Sequence, residues 1–204
     1  DRRQRQMCIR DRRWSFRDAE SAVEETVEAA HFLAGQRDRL APRVLVLSCQ
    51  GVEAGQYRRC VERVLAVAAP SDWIGLGGWC ILGRWLSYLP QFWATLTACL
   101  PRIASAGVRH VHIFGVLYLR ALGGLVWLAD RHGLTISTDS TAPVLACTRG
   151  DARKAGVRAD GWRQNIAWWV RTLADLRMSP WYRSVTDTPA VWQASLWESE
   201  GIVE

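Results

Sequence analysis

A single carboxylate, Asp139, stands where an apolar run gives way to small hydroxylated residues, in the segment 133–143, GLTISTDSTAP. The run from Leu134 to Ile136 is typical of a buried strand, and Pro143 follows the polar residues. Barrels of parallel strands keep their catalytic groups at the carboxyl ends of those strands. We therefore expect Asp139 at a strand tip, where a carboxylate could act as a nucleophile or as a base.

Three other predicted strands also end in residues suited to ligand binding. These residues are Gln50-Gly51, Gly77-Gly78 and Phe114-Gly115. A side-chain amide offers a donor and an acceptor to the edge of a planar heterocycle, and paired glycines let backbone groups approach it. An aromatic ring can stack on its face. If the strands are parallel, these groups converge with Asp139, and the set favours a purine pocket over a sugar or phosphate pocket.

The elements that must position these groups alternate along the chain. Strands are predicted at 43–49, 73–76, 110–114 and 134–136, and helices at 15–35, 55–69, 90–107 and 119–133. Apolar strands separated by single helices indicate a parallel sheet covered by helices. The sequence contains no GxGxxG or Walker-type phosphate loop. We predict an α/β fold in which residues 14–150 form the C-terminal half of a (β/α)8 barrel, with the first half in sequence that precedes this chain.

Most of the positive charge lies in the first residues. Residues 1–13, DRRQRQMCIRDRR, hold six Arg and two Asp, which supplies +4 of the net charge of +6. The part from Met7 to Asp11 matches the translation of ATG TGT ATA AGA GAC, a sequencing-library adapter, so we interpret 1–13 as a non-native segment. A disordered basic arm is the alternative. Lys154 is the only lysine among 26 basic residues, which suggests GC-rich coding and makes the arginine content weak evidence for phosphate binding.

Residues 151–204 are predicted to be a Trp-rich helical extension followed by a tail. One helix face is formed by Trp162, Ile166, Trp169, Val170, Leu173 and Leu176. With the neighbouring arginines, the indole rings could bind single-stranded DNA by stacking and phosphate contacts. The same helical spacing also fits packing in the core.

The cysteines and the apolar runs limit the class of protein. The six Cys include no CxxC pair, so we expect reduced thiols in a cytoplasmic protein. The longest charge-free run, Trp85 to Pro101, has 17 residues and is interrupted by Pro90. It is too short and too broken to span a bilayer, and we expect no membrane partner.

The order of the strand-end motifs resembles the tRNA-guanine transglycosylase superfamily. The motifs are Gln50-Gly51, Gly77-Gly78, Phe114-Gly115-Val116 and Asp139-Ser140-Thr141, within residues 43–147. The segments LGGWCILGR and HVHIFGVLYL depart from the tRNA enzymes, so the chain looks closest to the branch that inserts 7-deazaguanines into DNA. The zinc-binding Cys-x-Cys-x-x-Cys segment of the tRNA enzymes is absent, since only Cys147 follows Asp139. We therefore expect no zinc.

The resemblance implies a pentosyltransferase that replaces guanine by a 7-deazaguanine such as preQ0 in DNA or, as the alternative, in tRNA. Asp139 would attack the sugar C1′ of a nucleotide flipped from its stack and form a covalent glycosyl-enzyme. Gln50 would read the purine edge, and Phe114 would stack on the base. Gly77 and Gly78 would contribute backbone hydrogen bonds. The 7-deazaguanine is a substrate, and the resemblance implies no cofactor.

The resemblance also implies acids that would lie before residue 14. One is the family's second catalytic acid, and another reads the purine. The chain expressed alone is therefore expected to be inactive and poorly soluble, because half a barrel exposes sheet edges. Accessory DNA-modification proteins could join the whole enzyme.

Each of these residues also has a structural interpretation. Asp139 could cap the following helix, Gln50 could be a turn residue, and the paired glycines could serve only tight turns. Phe114 could belong to the core. We expect His110 and His112 to be packed, one facing the barrel interior and the other the helices. At the level of function, the alternatives are a catalytically silent nucleic-acid-binding subunit and an unrelated barrel enzyme, such as a lyase, in which Asp139 is only structural.

Overall fold

A computed structural model describes residues 16–78, 85–116, 119–139, 162–179 and 182. The helices are α1 (Phe16–Ala34), α2 (Arg37–Leu40), α3 (Ala54–Leu65), α4 (Trp85–Ser105), α5 (Leu119–Arg131) and α6 (Trp162–Ala174), followed by a 3₁₀ turn at Leu176–Met178. The strands are β1 (Val46–Cys49), β2 (Trp73–Leu76), β3 (His110–Ile113) and β4 (Thr135–Thr138). The segment 1–13 and much of 151–204 lie outside the described residues.

The strands form one parallel sheet in the order β1-β2-β3-β4. The register has no offset: the first row is Val46, Trp73, His110 and Thr135, and the last is Cys49, Leu76, Ile113 and Thr138. Each crossover moves one strand further in the same direction. Because such crossovers are right-handed, the connecting helices fall on one side of the sheet. The chain is therefore an α/β fold with a four-stranded parallel sheet, as the alternation of elements predicts.

The core lies between the sheet and its helices. From the sheet it receives Leu47, Cys49, Ile74, Leu76, Val111 and Ile113, all fully buried. From the helices it receives Val27, Val64, Leu96, Leu125 and their neighbours. Full burial of one such side chain stabilises the fold by about 1.5–3 kcal/mol. A slip of one residue would turn this set away from the helices, so the apolar layer fixes the register.

Helix α4 begins earlier than the sequence pattern predicts. It starts at Trp85 and contains Pro90, so the predicted loop up to Pro90 is wrong. Proline removes one backbone hydrogen bond from a helix. The buried side chains that follow, such as Phe92 and Leu96, hold the helix on the sheet and outweigh that loss. Helix α3 is shorter than predicted, since it ends at Leu65 and not at 69.

Part of the apolar face predicted for the C-terminal helix α6 is exposed. Ile166, Val170 and Leu173 are exposed by 39%, 62% and 36%, so these three side chains do not pack in the core. Leu176, in the 3₁₀ turn that follows, is buried. The Trp side chains of α6 lie outside the described residues.

Two observations bear on the class of protein. Cys49, Cys60 and Cys99 are free and buried, and burial raises the pKa of the Cys99 thiol to about 12. Such a thiol is an unreactive part of the core. In the described ranges, no helix combines the length and the apolar character that crossing a bilayer requires.

Candidate functional site

The side of the sheet turned away from the core carries polar side chains. One row across the strands is Ser48, Gly75, His112 and Ser137. Side chains alternate along a strand with a period of two, so the residues two positions further on continue the same side. These are Gln50, Gly77, Phe114 and Asp139. We term the two rows together the polar face. With strands roughly 4.8 Å apart, its end row is about 14 Å long.

Asp139 directly follows β4, and its side chain is 63% exposed. Its Oδ1 accepts a hydrogen bond of 2.9 Å from the backbone N–H of Gly115 and lies 3.2 Å from His112 Nε2. The Gly115 φ of +74° is one that glycine adopts without strain. Residues of β3 and its following turn thus fix the carboxylate, and its Oδ2 has no hydrogen-bond partner among the described residues.

Strand β4 also holds the turn that carries Gly115. Thr138 Oγ1 lies 2.8 Å from the backbone oxygen of Ile113 and 2.5 Å from that of Val116. These two oxygens stand on either side of Gly115 along the chain. The Thr138 hydroxyl therefore restrains the turn. The restrained turn directs the Gly115 N–H at Asp139.

His112 links the two rows of the polar face. Its Nδ1 lies 2.8 Å from Ser137 Oγ on β4, and its Nε2 lies 3.2 Å from Asp139 Oδ1. The ring also meets the Phe114 ring edge-on, with centroids 4.5 Å apart. The imidazole therefore has a partner on each of its polar atoms and an aromatic wall beside it.

The expectation that His110 and His112 face opposite sides of the sheet is wrong. Residues two apart on a strand share a face. His110 stacks on Trp73 at 5.0 Å and 11°, on the same side as the contacts of His112 with Ser137 and Asp139. His110 is packed as expected, but His112 belongs to the candidate site.

The Phe114 ring lies against Gly75 and Gly77, which we term the glycine floor. A methyl group added at Gly75 would come within 2.6 Å of Phe114 Cε2, and one at Gly77 within 3.5 Å of its Cδ2. The ring is only partly buried. Phe114 is thus a wall of the polar face and does not join the apolar core on the other side of the sheet.

Gln50 ends the polar face at β1. Its side chain is only 7% exposed, and its Oε1 has no hydrogen-bond partner among the described residues. A buried amide oxygen without a donor costs about 1–3 kcal/mol. A ligand with an N–H group would remove that penalty.

The glycine pairs are held by Tyr57 of α3. Its hydroxyl donates a 2.5 Å bond to the backbone oxygen of Gly77. A side chain at Gly78 would come within 2.5 Å of that hydroxyl, and one at Gly51 within 2.8 Å of the Tyr57 backbone N. The Gly77 N–H donates to Cys49 in the sheet. Gly77 therefore has both backbone groups engaged, and Gly51 and Gly78 must be small.

The residues at the carboxyl ends of the strands fall into two groups. Gly51, Gly77 and Gly78 adjoin Tyr57, while Gly115 and His112 contact Asp139. Phe114 lies between these two groups, and Gln50 follows β1. Ser140 and Thr141 lie outside the described residues. Tyr57, His112 and Ser137 also belong to the site, although the strand-end motifs do not include them. The period of two was a usable signal for His112 and Ser137, whereas Tyr57 reads as an ordinary apolar position of α3.

In the part of the chain that the structure describes, no three His, Cys, Asp or Glu side chains stand close enough to hold a metal ion. Comparisons with protein-family models, with curated proteins and with solved structures found no match for this chain.

Proposed function

We propose that the chain carries the nucleophile and part of the purine pocket of a base-exchange transglycosylase. The enzyme replaces guanine by a 7-deazaguanine in DNA. One observation carries the proposal: Asp139 presents an exposed carboxylate whose Oδ1 is held by Gly115 and His112, beside an aromatic ring on a glycine floor. Asp139, Phe114 and Gly115 are also among the residues that carry the resemblance to the transglycosylase superfamily.

The polar face divides between base and sugar. The unpartnered Gln50 Oε1 suits an N–H group of a purine edge, and Phe114 offers a ring for stacking. Gly78, with its φ of +107°, is the glycine whose backbone is left to meet the base, since Gly77 is engaged. Asp139 stands at the other end of the row and would meet the sugar.

The reaction proceeds in two displacements. Asp139 Oδ2 bonds to C1′ while the C1′–N9 bond of guanine breaks, and the departing guanine takes a proton from water. N9 of the 7-deazaguanine then bonds to C1′ and loses its proton to water, while the C1′–Oδ2 bond breaks and its electron pair remains on Asp139. Covalent catalysis of this kind replaces one difficult step by two easier ones.

The four strands belong, in this proposal, to one half of a (β/α)8 barrel. Two features support it: the strands follow one another in chain order, and the helices cover a single side. The polar face would line the barrel interior. DNA is proposed ahead of tRNA because the segments LGGWCILGR and HVHIFGVLYL depart from the tRNA enzymes. The family's second catalytic acid and its purine-reading acid would come from the other half.

The test is the substitution Asp139→Asn in the complete gene product that contains this chain. Incorporation of labelled guanine into DNA and into tRNA is measured. We expect a loss of at least about a thousandfold, as for removal of other nucleophiles. Asp38→Asn, an exposed acid on α2, is the matched control and should keep wild-type activity.

The outcomes separate the candidate functions. Exchange that survives Asp139→Asn would exclude the nucleophile role. A wild-type protein that binds DNA but exchanges no base would favour the silent nucleic-acid-binding subunit. Binding of a 7-deazaguanine in equilibrium dialysis would separate both from an unrelated lyase.

A further inference from the structure

We propose that His112, oriented by Ser137, is a positioning residue that speeds the step in which Asp139 is released from the sugar. This inference rests on the proposed function. It concerns a residue that the strand-end motifs do not include. Two observations carry it. The imidazole forms hydrogen bonds with Ser137 and Asp139, and the His112 side chain is only 16% exposed.

The hydrogen bonds define which ring nitrogen carries the proton. A carboxylate only accepts, so Nε2 must be the donor to Asp139 Oδ1. In the neutral ring Nδ1 is then an acceptor, and the Ser137 hydroxyl can donate to it across 2.8 Å. Ser137 is the register partner of His112 on β4, so pairing of the strands places it there. The Phe114 ring, 4.5 Å away, limits rotation of the imidazole.

The donors act differently on the two displacements. Before attack, the bonds from His112 and Gly115 to Oδ1 orient the carboxylate so that Oδ2 faces the sugar. In the covalent intermediate Oδ1 is the carbonyl oxygen of an ester and carries little charge. When the C1′–Oδ2 bond breaks, negative charge returns to the carboxylate, and both donors become stronger. Groups that bind the developing charge more tightly than the ester lower this barrier.

The proposal predicts a build-up of intermediate in His112→Ala. Without its imidazole donor the release step slows by about tenfold to a hundredfold, the effect of losing one hydrogen bond to a charged group. The attack step, in which the same donor favours the resting carboxylate, is not slowed equally. The full-length variant, mixed with DNA and a 7-deazaguanine, should therefore show a larger fraction of covalent protein–DNA adduct on a denaturing gel than the wild type.

Two further variants test the chemistry of the donor. His112→Gln retains an amide N–H that can reach Asp139, and it should restore most of the turnover. Ser137→Ala removes the partner of Nδ1 and should give an intermediate loss with a smaller adduct increase. His110→Gln is the matched control, because His110 lies on the same strand and stacks on Trp73. It should behave as the wild type, and the melting temperature of each variant shows whether it is folded.

The failure of this inference is distinguishable from failure of the proposed function. Exchange that requires Asp139 but shows the same kcat and adduct level in His112→Ala and His110→Gln would overturn the role of His112 alone. Exchange that is absent in the wild type, or independent of Asp139, would overturn the proposed function. If His112→Ala does not fold, the comparison of His112→Gln with Ser137→Ala decides: adduct levels equal to the wild type in both would reject the inference.

Discussion

At the scale of single residues, the candidate site depends on a glycine, Gly75, whose lack of a side chain leaves room for an aromatic ring. Gly75 gives Phe114 its place, because any Cβ at this position would meet the ring at 2.6 Å and Val46 Cγ1 at 3.0 Å. Both neighbours belong to the same side of the sheet. Gly75 has no feature in the sequence that separates it from the other glycines, and only its register with His112 shows what it faces.

Gly75→Ala should displace the Phe114 ring. Overpacking of this kind costs about 1–3 kcal/mol of folding free energy. Loss of a stacking surface should raise the KM for the base by about tenfold. Urea denaturation and exchange kinetics in the complete protein measure the two effects. Phe114→Leu in the Gly75→Ala background should recover part of the stability, which a double-mutant cycle detects.

Gly124→Ala on α5 is the matched control for this substitution. Its Cβ would lie 2.7 Å from Trp93 Cη2, a comparable clash between two helices. It should lower stability and leave the KM for the base unchanged. Equal changes of KM in Gly75→Ala and Gly124→Ala would contradict the stacking role of Phe114.

Residue types at strand ends could be predicted from the sequence, but their partners could not. Asp139 directly follows its strand as expected, because an apolar run and a polar tip leave few alternatives. Its contacts with His112 and Gly115 depend on the pairing of β3 with β4, and the apolar pattern of the sequence excludes a shift of one residue but not a shift of two. The alternation of side chains alone would have placed His112 on the face of Phe114.

At the scale of elements, an ion pair fastens the C-terminal turn to α5. Arg177 donates to both Asp130 oxygens, at 2.8 Å and 2.7 Å, and the Tyr182 hydroxyl adds a bond of 3.0 Å. Asp130 lies in the last turn of α5, where a negative charge opposes the helix dipole. The Arg177 guanidinium offsets this and lowers the pKa of Asp130 below its ordinary value.

Docking of the C-terminal turn should therefore be lost in acid. Because the pKa of Asp130 is lower in the folded state, its contribution is complete above the unfolded value of about 4 and disappears as the pH falls through the folded value. Hydrogen exchange of the amides at 176–179 should accelerate over that window. In Asp130→Asn the exchange rates, corrected for intrinsic chemistry, should not show this transition. The same transition in both proteins would assign it to another group.

Elements were predictable where burial and propensity agree. β2 matches its predicted range, and α1 ends before Gly35 as its face of small apolar residues suggests. The start of α4 was not predictable, because Pro90 opposes a helix locally while tertiary packing of Phe92 and Leu96 favours it. The exposed face of α6 likewise shows that helical spacing identifies a face and not what covers it.

At the scale of the whole molecule, the described part of the sheet has two edge strands that are paired on one side only. β1 and β4 each have one strand neighbour in the described part of the chain. Val44 and Val46, at the β1 side, are exposed by 55% and 37%. Unpaired edges with exposed apolar side chains favour association with another strand. This arrangement supports the half-barrel proposal, whose other strands would cover both edges.

The 204-residue chain expressed alone should self-associate and be poorly soluble. Size-exclusion chromatography with light scattering and thermal melting test this. A monodisperse monomer that melts cooperatively would refute the half-barrel. Co-expression with the other half that the proposal requires should give a soluble complex, which serves as the control for misfolding of the chain itself.

Different elements supply the partners of Asp139 and the residues at the β1 end of the polar face, and this separation affects how such a protein can diverge. Every described partner of Asp139 comes from β3 and the turn after it, whereas Gln50 follows β1 and Tyr57 belongs to α3. Phe114 lies between the two groups, with its ring 4.5 Å from that of His112 and beside Gly77. Under the proposed function, substitutions around Gln50 and Tyr57 could therefore accumulate without moving the Asp139 carboxylate, so that a lineage could change the heterocycle it accepts and retain the same nucleophile.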